Sequence, residues 1–283
     1  MIINKRFISI LLIILLTPLL YGCTKVDTLK VKLGMKNNDF EYIKQGKIKK
    51  IVIQNVRDPG FRFVVTDQKA IADLYDILST AKEVTNKSTL DPDYEFQMEE
   101  SSSKIYKFNY IAGLDKKDAG NLYSADKVYV VSKRIDNDII KNFWNIRKPK
   151  DFNKIYYGLL LDQADAYAKG IGKGKTIGIN LNNDVEAAKF IFSTDLEDFK
   201  ASLASRVSSA ELMPPSTANV QTKSYDTVME IKTIGYKTFI YKGEITFTDK
   251  QNNSQKKYYI TIKDEDMTGN WTTTVDEKKP PVW

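Results

Sequence analysis

A single cysteine, Cys23, occurs in 283 residues, so no disulfide can brace one copy of this chain. Stability has to come from burying a core, which a chain of this length can do because the buried fraction of surface rises with size. Where that cysteine sits constrains the chain further. Lys5 and Arg6 lead into an apolar run over residues 7–16, broken only by Ser9, which continues through Thr17, Pro18, Leu19 and Leu20. The run is shorter than the ~20 residues a membrane-crossing helix needs. A basic start followed by a short apolar stretch is the pattern of a cleaved signal peptide, and no acidic residue appears before Asp27.

The end of the run, Leu20-Tyr21-Gly22-Cys23, resembles the lipobox of bacterial lipoproteins: an aliphatic residue, a variable position, a small residue and the invariant cysteine. Tyr21 stands where that family prefers Ala, Ser or Thr. The resemblance implies a signal peptide over 1–22, a diacylglycerol on the Cys23 sulfur, and anchoring on the extracytoplasmic face of the cell membrane. Acylation would also remove a free thiol outside the cell. Two acyl chains anchor stably where one binds marginally, at ~0.8 kcal/mol per buried methylene.

Charge and composition exclude several roles. Lys and Arg number 43 against 36 Asp and Glu, a formal charge of +7 that falls by two, to +5, when Lys5 and Arg6 leave with the leader. A basic surface on a tether favours anionic lipid or an anionic envelope polymer. The charges are interspersed, however, so solubility explains them as well. No basic stripe with interleaved aromatics marks a nucleic-acid surface. The chain has no histidine, so Ser-His-Asp and Cys-His triads and histidine-ligated zinc or haem are excluded. Richness in Lys, Asn, Ile and Tyr points to an AT-rich Gram-positive genome.

Residues 24–46 are polar with little periodicity and read as a tether, with a reach on the order of 25 Å as a flexible coil. Residues 48–56 read as a strand, Asp58-Pro59-Gly60 as a turn, and Phe61, Phe63 and Val65 as a second, alternating strand. Thr66 or Asp67 can cap a helix with apolar positions Ile71, Leu74, Tyr75, Leu78 and Ala81. Asp91-Pro92-Asp93 turns into a hairpin that alternates at Tyr94, Phe96 and Met98 and again at Tyr106, Phe108 and Tyr110. A short strand at 128–131 and a closing helix at 135–144 complete a ββαβββα order, a self-sufficient α+β domain over 47–150. Its strand 61–67 feeding a helix, its turn and strand Leu90-Asp91-Pro92-Asp93-Tyr94-Glu95-Phe96, and its step from Tyr129 to Ile135 resemble the YhfM-like domain. That domain occurs in Firmicutes lipoproteins of unassigned function. The resemblance covers about 48–156 and implies a fold, with no catalytic residues.

Residues 151–277 read as a second α+β domain, with 278–283 as a disordered tail. Ile155, Tyr156, Leu159, Leu160, Ala164 and Tyr167 share a helix face that ends at Gly170. A short strand follows at 176–181. Asn183 or Asp184 can cap a helix through Phe192, and Thr194-Asp195 another through about Ser205. After Pro214-Pro215 and a polar loop to Ser224 come strands at 225–234, 236–247, 256–263 and 271–275. The fold class is therefore α+β in two domains, each an antiparallel sheet with packed helices. Helices followed by a curved sheet resemble the cone of nuclear transport factor-like domains, which often cups a small ligand. A second copy of the first domain's plan fits the same pattern.

Five fragments carry tempting chemistry. In Gly170-Ile171-Gly172-Lys173-Gly174-Lys175-Thr176 a phosphate loop would need glycine where Lys169 stands, and a strand before it rather than a helix. Asp264-Glu265-Asp266 with Gly269 lacks the twelfth-position Glu of a calcium loop, since Val275 stands there. Asp91/Asp93 and Asp162/Asp165 are carboxylate pairs of the acid–base kind, set in a turn and on a helix face. Ser101-Ser102-Ser103-Lys104 has Ser-x-x-Lys spacing in a hairpin loop. Each reads as structure, so no catalytic, cofactor or metal residues are expected. Cys23, as the lipidation site, is the one residue with an expected chemical role. The expected function is a non-catalytic lipoprotein binding a protein or envelope partner. A small-ligand lipoprotein with a pocket in the second domain, or a carboxylate-based wall-polymer hydrolase, are the alternatives. A two-lobed solute binder is disfavoured because repeated βαβ units are missing.

Overall fold

The computed structural model describes residues 29–114, 119–139, 147–215 and 223–281. Cys23 and the leader lie outside them. Two sheets organise the chain. The first has seven strands, β1 (Lys50–Asn55), β2 (Arg62–Val65), β3 (Lys82–Glu83), β4 (Tyr94–Ser101), β5 (Lys104–Tyr110), β6 (Leu122–Tyr123) and β7 (Val128–Val130), in the order β2-β1-β4-β5-β6-β7-β3. All of its paired strands are antiparallel. Alternation decides which face is buried. Ile53, Phe96 and Phe108 lie side by side across three strands, and Tyr94, Tyr110, Leu122 and Tyr129 across four. Helix α2 (Gln68–Leu78) covers that row with Ile71, Leu74, Tyr75, Ile77 and Leu78; a shorter α1 (Glu41–Lys44) precedes it. The expected cap is present: Asp67 accepts a 2.8 Å bond from the Ala70 amide.

The expected tether over 24–46 is shorter at its far end. Asn37 donates through its side chain to the carbonyls of Leu78 and Ala81, and its amide donates to Ser79. Phe40 and Ile43 are buried in the core. Two apolar residues among polar ones leave no periodicity to read, which is why this segment resembles a linker in sequence. The expected closing helix is a π-helical turn, Ile135–Ile139, within the described residues, and 140–144 lie outside them.

The second sheet has six strands, β8 (Ile177–Asn180), β9 (Ala210–Leu212), β10 (Thr227–Lys237), β11 (Ile240–Asp249), β12 (Ser254–Lys263) and β13 (Thr272–Asp276), in the order β13-β12-β11-β10-β8-β9. It is mixed, which corrects the wholly antiparallel expectation: β8 runs parallel to both β10 and β9. The cause lies in the connections. Between β8 and β9 the chain passes through α4 (Val185–Ala188) and α5 (Ser193–Arg206), the long crossover that parallel pairing requires. Among the described residues its end strands, β13 and β9, have no pairing with each other. Leu212, Ile179, Met229 and Phe247 form one continuous row across four strands. Helix α3 (Phe152–Lys169) packs on it through Tyr156, Leu159, Leu160 and Tyr167, the last ring stacked on Phe247 at 4.1 Å. Gly178 in β8 lies under Tyr225, where an added Cβ would sit 2.6 Å from the ring.

Candidate functional site

Each fragment singled out in the sequence lies in a structural setting. The glycine-rich stretch joins α3 to β8; Lys175 pairs with Asp249, and the Thr176 amide and hydroxyl donate to Asp226. Asp264 accepts from the amides of Thr268 and Gly269 and so closes the turn before β13. Asp162 and Asp165 share Arg206, and Asp165 also holds Lys169. Lys104 at the hairpin turn pairs with Glu100. Asp184, expected as a cap, makes no side-chain cap bond. It is buried instead, accepting from the Thr233 amide, the Thr233 hydroxyl and Tyr156 Oη. Burial raises its carboxyl above the ordinary range, against the pull of those donors. No group of three or more metal-ligating side chains occurs among the described residues.

Asp93 shows the largest departure from its sequence setting. A turn aspartate beside proline is expected at the surface, yet this one is fully buried. It accepts from Arg57 Nη1 at 2.6 Å, the Ser193 amide at 2.8 Å and the Ala112 amide at 2.9 Å. Burial pushes the carboxyl up, while Arg57 and the two amides pull it down. Asn55 positions the arginine by accepting from the amides of Arg57 and Asp58. The guanidinium then bridges the two halves, with Nη2 on Ser193 Oγ at 2.6 Å and Nη1 on the Ile191 carbonyl at 3.3 Å. Phe192, between those residues, is buried in the first domain's core, its ring edge-on to Tyr94. Phe192 therefore caps α5 in sequence but fills the core of the other domain.

A second cluster adjoins the first. Arg147 Nη2 bonds Asp195 at 2.5 Å and Asn153 at 2.6 Å, and its guanidinium lies 4.5 Å from the Phe192 ring centre and 5.0 Å from that of Phe152. Above it opens a cavity of about 630 Å³, lined by Arg147, Lys148, Lys150, Asp151, Lys154 and Thr238, among others. Lys148, Lys150 and Lys154 are exposed, and within the described residues none of them pairs with a carboxylate. Asp151, in the left-handed region at φ 60°, makes no side-chain cap bond to α3. Three exposed lysines, together with the carboxylate of Asp151, therefore line a concave surface at the start of α3. No local pattern in the sequence marks these residues. Adjacent lysines before a helix are common, and the cavity forms only because the β10–β11 turn at Thr238 closes over Lys150, whose amide donates to the Thr238 carbonyl.

The family described as YhfM protein matches residues 44–149, the first of the two domains. No curated protein and no solved structure matches the chain. The matched stretch holds Arg57, Asp93 and Ala112, whereas Phe192 and Ser193, which complete the same buried cluster, lie beyond it.

Proposed function

We propose that the chain is a lipid-anchored extracytoplasmic lipoprotein whose two domains form one non-catalytic binding body. Leu20-Tyr21-Gly22-Cys23, directly after a basic start and an apolar run, is the observation that carries the reading. The fused junction supports a single body, because buried bonds from Asp93 and Arg57 cross it. Asp93, Asp162 and Asp165, from the carboxylate pairs an acid–base site would draw on, are engaged in structural bonds, which supports a non-catalytic role. The partner is a protein or an anionic polymer of the envelope. Replacing Cys23 with alanine should stop lipid attachment and leave the full-length precursor, read by the mass of the N-terminal peptide and by membrane fractionation. A Cys23→Ala protein that still matures and stays with the membrane would sink the reading.

The cavity favours a second reading, in which the same body takes a small phosphate-bearing ligand in its second domain. Three exposed lysines and a helix start converge there, and lysine serves phosphate as a point charge. Titration with glycerol 3-phosphate should show saturable heat. Lys148→Gln/Lys154→Gln should weaken binding about tenfold, about 1.4 kcal/mol. Equal affinity in the variant would remove this cavity as the binding site.

A further inference from the structure

The described part of the chain begins on an apolar surface. Leu29, Leu33 and Met35 are 56%, 62% and 63% exposed, more than most large apolar side chains in the protein. Residues 29–32 are helical, and Leu29 and Leu33, four apart, lie on one side of that turn, joined by a backbone bond from Leu33 N to the Leu29 carbonyl. Gly34, at φ 68°, ends the turn, and the Met35 amide returns to the Lys30 carbonyl. Lys30 and Lys32, between the apolar residues, are exposed as well. Two residues later Asn37 is clasped to the end of α2 by three hydrogen bonds. The apolar group is therefore held close to the first domain.

Cys23 lies six residues before Leu29. Fully extended, six residues span at most about 20 Å, so a lipid on Cys23 holds this surface within one short segment of the bilayer. We propose that Leu29, Leu33 and Met35, with Lys30 and Lys32, form a seat that rests in the headgroup layer of the membrane bearing the anchor. The seat fixes the orientation of the first domain. The inference rests on the anchoring reading above. Apolar side chains beside lysines suit an anionic interface. One turn binds weakly alone, but attachment makes the contact intramolecular, and a high effective concentration then lets a weak contact persist.

The test uses the full chain, purified from membranes and returned to vesicles of phosphatidylcholine and phosphatidylglycerol with brominated acyl chains. A bromine-quenched fluorophore is placed at Leu33→Cys, in parallel at Leu29→Cys, and for reference at Glu265→Cys in the exposed turn before β13. Flotation reports attachment. The expected result is that the protein floats and both seat labels are quenched severalfold more than the label at 265. A protein that floats with all three labels equally quenched overturns the seat and leaves the anchor standing. A protein that does not float overturns both.

Discussion

Asp93→Ala is expected to destabilise the protein by about 3–5 kcal/mol, because removing one partner of a buried pair leaves the other charge uncompensated. Three donors lose their acceptor together: Arg57 Nη1, the Ser193 amide and the Ala112 amide. The two amides are the harder loss. Main-chain donors cannot turn away, and each one stranded in the interior costs about 1–3 kcal/mol. Arg57, whose side chain is 19% exposed, can recover part of its loss from water. Asp93→Asn keeps the size and one acceptor but turns an amide group toward a donor, so it should recover only part of the stability. Urea denaturation followed by circular dichroism measures both. A loss below about 1 kcal/mol for Asp93→Ala would place the carboxylate among ordinary surface pairs.

Phe192→Ala is expected to cost a comparable amount, about 3–5 kcal/mol for a buried phenylalanine, and to change the form of the transition as well. The ring belongs by sequence to the second domain and by contact to the first. It also supports the Arg147 guanidinium, whose bonds to Asp195 and Asn153 lie in the second. With the ring present the two halves should unfold together. Without it, curves from tryptophan fluorescence and from circular dichroism should separate, since coincident probes are the sign of one cooperative unit. Coincident curves in the variant would mean that the polar bridge alone couples the halves.

What was legible in the sequence follows the range of the interaction concerned. Asp67 as a cap, Gly170 as a helix stop and the hairpin alternation at Tyr94, Phe96 and Met98 all depend on neighbours within a few residues, and all appear as expected. Strands β3, β6 and β9, two or three residues long, are too short to show a period and form only because a partner strand lies beside them. The parallel pairing of β8 depends on residues some fifty positions away in β10. Asp93 was the hardest to read. Its position beside Pro92 marks a turn correctly, and nothing local signals that Ser193 and Phe192 will cover that turn. The cationic cavity escaped for the same reason, since Thr238 closes it from a distant hairpin.

The borrowed phenylalanine bears on the order in which the molecule can be completed. A chain is made N-terminus first, so strands β1 to β7 are all present before Phe192 and Ser193 are added. Until then the first sheet carries a vacancy beside Tyr94 and a buried carboxylate short of one donor. The segment from Ile191 to Ser193 closes both cores, with Phe192 in the first and Ile191 in the second. The same dependence limits how the molecule can be divided: a cut anywhere between the family-matched stretch and Ile191 severs the first domain from part of its own interior.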